Sequence, residues 1–421
     1  MRSLFLSSTA VLATAAAASA HPARDVVNGY ADLASALYGD SLTTAVALQT
    51  AVDAFIASPS PATFDAAKSA WLVSRIPYQQ TEVYRFGNAY VDDWEGKVNA
   101  WPLDEGLIDY VDTSFYGTES EENGFFLANV VATPDLRVAG QSIDASDITA
   151  ELLQSLHEID GVEANVATGY HGIEFLLWGQ DLNGTGAGAG MRPYTDYLAG
   201  DDCTHANCDR RAAYLKAATD LLVADLEDIV AAWDAGGEAR VALEEASDAE
   251  ALSAILMGMG SLSYGELAGE RMQLGLLLHD PEEEHDCFAD NTHNSHFYDV
   301  VGIENVYLGR YISVEGSVVT VPSLSHLVAA VDADLDAEVQ AKLSATLDAM
   351  GVLKSEADSG RQSYDQMIGA DNPEGNAIVQ GAVDALVDQT RSLELVVAAL
   401  DVAALDFEGS DSLDAPGAVF E

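Results

Sequence analysis

Residues 169–184 have the sequence GYHGIEFLLWGQDLNG, in which a polar start is followed by an apolar run that ends at glycine. If this stretch is helical, His171 and Glu174 are three residues apart and leave the same helix face. An imidazole and a carboxylate in that arrangement can hold one metal ion, or they can act as a base and its orienting group. The alternative is a helical pair that only forms a hydrogen bond.

Helical periodicity dominates the chain outside this stretch, and clear strand alternation is scarce. Apolar stripes at helical spacing run from Leu42 to Ile56, from Tyr214 to Trp233 and from Val379 to Leu400. The only segment that resembles a strand is 313–321. The sequence therefore predicts an all-α fold built from helical bundles.

The length of 421 residues is too great for one small core. We expect a signal peptide at 1–20 and two helical-bundle domains at 21–200 and 201–421. The glycine-rich stretch from Gly184 to Gly190 separates the two helix-rich halves.

The first twenty residues are typical of an export signal. Arg2 precedes an apolar run, and Ala18-Ser19-Ala20 is a small-x-small cleavage site. The run is too short for a transmembrane helix, and no later stretch is apolar enough to span a bilayer. We predict cleavage after Ala20 and a periplasmic or secreted protein, with peripheral attachment to the outer membrane as an alternative.

The chain is strongly acidic, with 18 Lys and Arg against 69 Asp and Glu and a formal net charge of −51. Such a surface repels nucleic acid and anionic lipid, and it raises the local concentration of metal cations. Adaptation to a salty habitat would account for most of the charge without any functional role.

Two of the three cysteines, Cys203 and Cys208, lie close together in a polar loop with the sequence CTHANC. In an oxidising compartment this spacing predicts a local disulfide. A metal site that also uses His205 is the alternative. Cys287 is left without a partner.

Three blocks of the chain together resemble the imelysin family. Residues 169–184 match its Gly-x-His-x-x-Glu signature, and two further blocks, 84–110 and 286–311, follow the family pattern in the expected order. The family includes iron-regulated envelope proteins and a protein described as an insulin-cleaving metalloprotease. The resemblance implies an all-α fold of two bundle-like domains, with the site between them among long irregular loops.

The resemblance also implies which residues form the site. The motif supplies Gly169, His171 and Glu174, with His171 and Glu174 as metal ligands. The outer blocks add further candidates, namely Arg85, Asp93, Glu95, Asp104, Glu105, Asp290, Asn291, His293 and His296. Because a metal needs three or four ligands, we expect at least one group from each outer block to face the central pair. Taken singly, each acid could be a solvated or capping residue, and Arg85 could pair with a buried acid.

Three functions fit these residues. The first is binding of a metal ion, iron before zinc, in iron uptake or homeostasis together with envelope iron-uptake components. The second is a metallopeptidase, although the chain lacks His-Glu-x-x-His. A peptidase would need a third ligand from among His279, His285, His293 and His296, and a base such as Glu82, Glu95 or Glu105. The third is a binding module without metal, in which Arg85 contacts an anionic ligand.

Overall fold

The structure is a computed structural model that describes residues 22–138 and 140–420. The predicted signal peptide, 1–20, lies outside the described residues. The helices are α1 Pro22–Ala57, α2 Pro61–Gln79, α3 Ala89–Asn99, α4 Glu105–Ile108, α5 Thr113–Tyr116, α6 Ala150–Leu156, α7 Gly169–Trp178, α8 Cys208–Trp233, α9 Glu238–Glu245, α10 Asp248–Ser261, α11 Leu274–Leu278, α12 Thr292–Leu308, α13 Leu324–Val331, α14 Ala333–Asp358, α15 Tyr364–Ile368, α16 Pro373–Ala399 and α17 Asp411–Asp414. The predicted all-α fold is confirmed.

Two small antiparallel hairpins interrupt the helices. One pairs β1 (Asp135–Val138) with β2 (Gln141–Asp144), and the other pairs β3 (Arg310–Ile312) with β4 (Val318–Thr320). The expected single strand at 313–321 is thus wrong in detail, because residues 313–317 form the turn of the second hairpin and Val318–Thr320 form its second strand. The first hairpin is too short to show strand alternation in the sequence.

The helices before the glycine-rich stretch pack together with α8, which follows it. Helix α1 lies along α2 and α8, and α7 packs against both α2 and α8. Every residue of α7 is buried, which explains the apolar run after Glu174. The division into two domains remains a prediction. Among the described residues, no helix is long and apolar enough to span a membrane.

The segment from His279 to Tyr311 shows no helical periodicity in the sequence, yet Thr292–Leu308 forms helix α12. The helix packs on α2 from the first half and on α14 from the second half. Because it is covered on more than one side, it has no single apolar stripe, and periodicity does not reveal it.

The chain between α10 and α11 is also helical, but it forms wider π-type turns over Leu262–Gln273. Such turns shift the helix face that follows them, and they occur often at functional sites. Here they place the Arg271 side chain in the interior, where it is 2% exposed.

Cys203 and Cys208 form a disulfide with their Cα atoms 6.0 Å apart. His205 does not join them. Its Nδ1 lies 2.6 Å from Oδ1 of the buried Asp196. Cys287 is free and half-buried.

Candidate metal centre

The His171–Glu174 pair lies in the protein interior on α7. Nδ1 of His171 is 3.1 Å from Oε2 of Glu174, and both side chains are at most 2% exposed. The second oxygen of Glu174, Oε1, accepts a hydrogen bond of 2.9 Å from the backbone N–H of Ala289. The carboxylate therefore connects the imidazole to the loop that precedes α12.

That loop brings a second histidine and a second carboxylate to the same place. The ring of His285 crosses the ring of His171 nearly edge-on, with centroids 4.8 Å apart. Oδ1 of Asp286 lies 3.8 Å from Nδ1 of His171 and 3.7 Å from Nδ1 of His285. One potential ligand atom from each of these three residues lies within 4.8 Å of the other two.

The loop is anchored to several elements. The carbonyl of Glu284 accepts a hydrogen bond from Trp101, and that of Phe288 accepts one from the N–H of Gly190. The N–H of Asp286 donates to Oγ1 of Thr292 at the start of α12. Together with the hydrogen bond from Ala289 to Glu174, these contacts fix four of the six residues from Glu284 to Ala289.

Arg75 of α2 supplies the positive charge at the centre. Its guanidinium donates to Oδ1 of Asp286 at 2.7 Å and to Asn99 at 2.6 Å, and its side chain is 1% exposed. The other oxygen of Asp286 accepts from Asn291, at 2.8 Å, and from Ser295. Arg75 was not among the predicted site residues, although an arginine at helical spacing from Trp71 and Tyr78 could have indicated a buried ion pair.

Burial and Arg75 set the protonation of the centre. Burial, with the charge of Arg75, lowers the pKa of His171 to about 3, and burial lowers the pKa of His285 well below its usual value. Burial alone would raise the pKa of Asp286, but Arg75, His171 and Ser295 hold it at about 2. At neutral pH the centre therefore offers two neutral imidazoles and one carboxylate, which are the forms that bind metal.

The pKa of Glu174 is shifted in the opposite direction from that of Asp286. Burial and the nearby charge of Asp286 raise its pKa well above the usual value, against the effect of Arg75. A bound cation would favour the ionised form of Glu174, because opposite charges lower a carboxyl pKa.

One ring nitrogen of each histidine at the centre has no hydrogen-bond partner. Nε2 of His171 and Nε2 of His285 are both buried without a hydrogen bond. An unpaired buried polar atom is costly, so each such atom calls for an explanation. Both rings line a cavity of about 320 Å³, whose other walls include Trp101 and Cys287.

The first block that resembles the family, 84–110, contributes part of the wall of this cavity. Asp104 and Glu105 line it, and Asp104 accepts hydrogen bonds from Tyr116 and Asn123. Burial raises the pKa of Glu105 well above its usual value. The block thus faces the His171 cavity, but none of its acids joins the three-residue group at the centre.

Gly169 has a geometric role. Its φ is +75°, and a Cβ at this position would lie 2.4 Å from the carbonyl oxygen of Val98. Only glycine permits this close approach of α7 to the end of α3.

The remaining charged candidates of the first block, Arg85, Asp93 and Glu95, line a neighbouring cavity of about 700 Å³ together with Arg271. This cavity shares His285 and Trp101 with the smaller one. Glu82 pairs with Arg271 at 2.7 Å. Arg85 lies 3.6 Å from Glu95 and 3.4 Å from Glu266, so it is engaged by acids of the chain itself. Asp93 is exposed at the rim of this cavity.

The predicted residues of the third block do not gather at the centre. His293 lies 3.3 Å from Asp358, and both nitrogens of His296 are unpaired next to the Tyr364 ring. Asn291 supports Asp286, as described above. Asp290 joins a separate carboxylate group with Asp181 and Asp365.

Glu95 makes the stability of the protein depend on pH. Burial and the charge of Glu82 raise the pKa of Glu95 to about 7 despite Arg85. The folded protein therefore binds this proton more tightly than the unfolded chain, and the stability gained from it is lost as the pH rises through about 7. When the pH rises from about 6.5 to about 8.5, the unfolding free energy of wild-type protein should fall by about 1 kcal/mol more than that of the Glu95→Gln variant, because glutamine has no proton to lose. Denaturant unfolding at both pH values measures the difference, and an equal loss in both proteins would contradict it.

The comparisons with known proteins agree with this architecture. The family model described as Imelysin matches residues 34–393. The "Iron-regulated protein A" of Synechococcus elongatus is 36% identical over 64 residues, which span 15% of this chain and only 18% of that relative.

Two crystal structures are similar in fold. A structure described as an iron-regulated protein A precursor from Parabacteroides distasonis has a TM-score of 0.63 at 19% identity, over 90% of this chain and 95% of that one. An imelysin-like protein from Psychrobacter arcticum has a TM-score of 0.56 at 16% identity, over 91% and 97% of the two chains. Since the family model spans most of the sequence and includes the motif of α7, the chain belongs to the imelysin family.

Proposed function

We propose that this protein binds a transition-metal ion at His171, His285 and Asp286 and serves in the handling of iron in the bacterial envelope. The observation that carries the proposal is that one potential ligand atom from each of these three residues lies within 4.8 Å of the other two. In addition, Nε2 of both imidazoles is buried without a partner beside a cavity. Imidazole and carboxylate ligands suit iron and zinc.

Glu174 has a different role in this proposal from that of a direct ligand. Its oxygen is 3.1 Å from Nδ1 of His171, the position from which a carboxylate orients a metal-binding imidazole. Its other oxygen is held by the N–H of Ala289. Glu174 thus holds the ring, while His285 replaces it as the second ligand.

The preference for iron over zinc rests on the names of the relatives. Two similar proteins are called iron-regulated protein A, and their similarity to this chain is partial in sequence or low in identity. The donor set is compatible with both metals. Iron is therefore proposed as the cargo, and zinc serves as a redox-inactive probe of the same residues.

Metal analysis of pure variants tests the site. After loading with Fe(II) under anaerobic conditions and removal of excess ion, we expect wild-type protein to retain more metal than His171→Ala or His285→Ala. Affinity should fall at least ~10-fold in each, and ~10–100-fold in Glu174→Gln, because a supporting carboxylate typically contributes that much. The control is His326→Ala, which removes an exposed imidazole from α13.

The outcome that refutes the site is equal metal retention in wild-type protein, His171→Ala and His285→Ala, with circular dichroism showing that all three are folded. Chelator-sensitive peptide cleavage that disappears in His171→Ala would instead assign the metal to a peptidase.

Export to the envelope is the second part of the proposal. It rests on the signal-like residues 1–20. Amino-terminal sequencing of protein from the native cell envelope should give His21 as the first residue. Recovery of the uncleaved chain from the cytoplasm would contradict export.

A further inference from the structure

Three carboxylates from distant parts of the chain meet outside the candidate metal centre. Asp181 follows α7, Asp290 precedes α12 with a φ of +51°, and Asp365 lies in α15. One oxygen from each lies within 4.8 Å of the other two. Oxygens that bind one calcium ion at about 2.4 Å are at most about 4.8 Å apart, so this spacing suits a single ion.

The three groups have no compensating positive charge. The charges that raise the pKa values of Asp290 and Asp365 belong to other members of the group, and within the described parts of the chain no lysine or arginine forms an ion pair with any of the three. Burial and this repulsion raise the pKa of Asp290 to about 7 and that of Asp365 to about 6. Elsewhere in the interior, by contrast, Asp286 is paired with an arginine.

Free acceptor atoms converge on the cluster. Oδ2 of Asp365 and Oδ1 of Asp290 are buried and accept no hydrogen bond, and Asp365 is only 1% exposed. The N–H and side-chain amide of Asn183 hold one oxygen of Asp181, which leaves its other oxygen available.

We propose that Asp181, Asp290 and Asp365 form a second cation site, which takes a hard divalent ion of the calcium class and does not depend on His171. Oxygen-only ligands favour hard cations, whereas the imidazoles of the first centre favour transition metals. The bound ion would tie α15 and the loop after α7 to the segment that carries His285 and Asp286. The two sites would then be filled by different metals.

Calcium titration of chelator-treated protein tests this site. In buffer with moderate salt, Ca²⁺ is expected to raise the melting temperature of wild-type protein by a few degrees and to give a saturable heat in calorimetry. Asp181→Asn and Asp365→Asn should weaken Ca²⁺ binding at least ~10-fold, because fewer charged ligands remain. Both variants should melt at or above the wild-type temperature without calcium, since an amide relieves the repulsion.

Two controls separate this site from the first one. Asp348→Asn removes an exposed carboxylate from α14 and should bind Ca²⁺ like wild-type protein. His171→Ala should also keep the full response to Ca²⁺, whether or not it binds iron. The proposal is overturned if wild-type protein shows no saturable binding, if Asp181→Asn and Asp365→Asn bind Ca²⁺ as wild-type does, or if His171→Ala abolishes the response.

Discussion

Replacing Arg75 by methionine should lower the unfolding free energy by about 3–5 kcal/mol, because it leaves the buried carboxylate of Asp286 without its ion-pair partner. Methionine replaces the aliphatic stem of the side chain but not the guanidinium, so the loss comes mainly from the ion pair and the other guanidinium contacts. If His171, His285 and Asp286 bind metal, zinc should restore part of this stability, since the ion supplies the missing positive charge. Calorimetric melting with and without Zn²⁺ measures both effects.

The matched control for this variant is Arg211→Met. Arg211 is fully buried and pairs with Asp109, with Nε 2.5 Å from Oδ2, away from the centre. This variant should also lose stability, but zinc should not restore it beyond the response of wild-type protein. Rescue of both variants to the same extent, or rescue that persists in the double variant Arg75→Met, His171→Ala, would refute zinc binding at the centre.

Replacing Gly169 by alanine should be the most damaging small change in the motif. The new methyl group would meet the backbone of Val98 at 2.4 Å, and backbone cannot swing aside as a flexible side chain can. The residue would also be held at a φ of +75°, which costs alanine about 1–2 kcal/mol by itself. The total loss of stability should be on the order of 3 kcal/mol or more.

The second glycine of the motif provides a comparison for Gly169→Ala. Gly172 lies inside the same helix, and a Cβ there would find its nearest neighbour at 3.8 Å, an ordinary contact distance. Gly172→Ala should therefore leave stability unchanged or raise it by about 0.5–1 kcal/mol through helix propensity. Chemical denaturation measures the unfolding free energy of both variants. Similar losses of unfolding free energy in Gly169→Ala and Gly172→Ala would contradict a special role of Gly169 and would mean that α7 as a whole tolerates no added methyl group.

The parts of the structure that sequence predicts best are those governed by local periodicity. Long apolar stripes indicated helices such as α8 and α16, and the spacing of His171 and Glu174 anticipated their common face. Helix α12 was missed because it packs on helices from both halves, which removes the contrast between an apolar and a polar face.

The composition of the centre is less predictable, since it depends on tertiary packing. His285 and Asp286 are in a loop more than a hundred positions from His171 in the sequence, and no periodic rule fixes where a loop folds. The resemblance drew attention to the block that begins at Asp286, and His285 was one of four histidines considered as a third ligand, but nothing in the sequence singled out these two residues. Arg75 shows the same difficulty, because a buried arginine implies an acidic partner without indicating which one.

The anchored segment from Glu284 to Ala289 has a practical consequence for protein engineering. Four residues of this segment form hydrogen bonds with Trp101, Thr292, Gly190 and Glu174. A single inserted or deleted residue would therefore move every later residue away from its hydrogen-bond partner. A fluorescent label or affinity tag placed in this segment would disturb the interior of the protein. The exposed stretch 118–122 has no comparable connections to the core and offers a better attachment point.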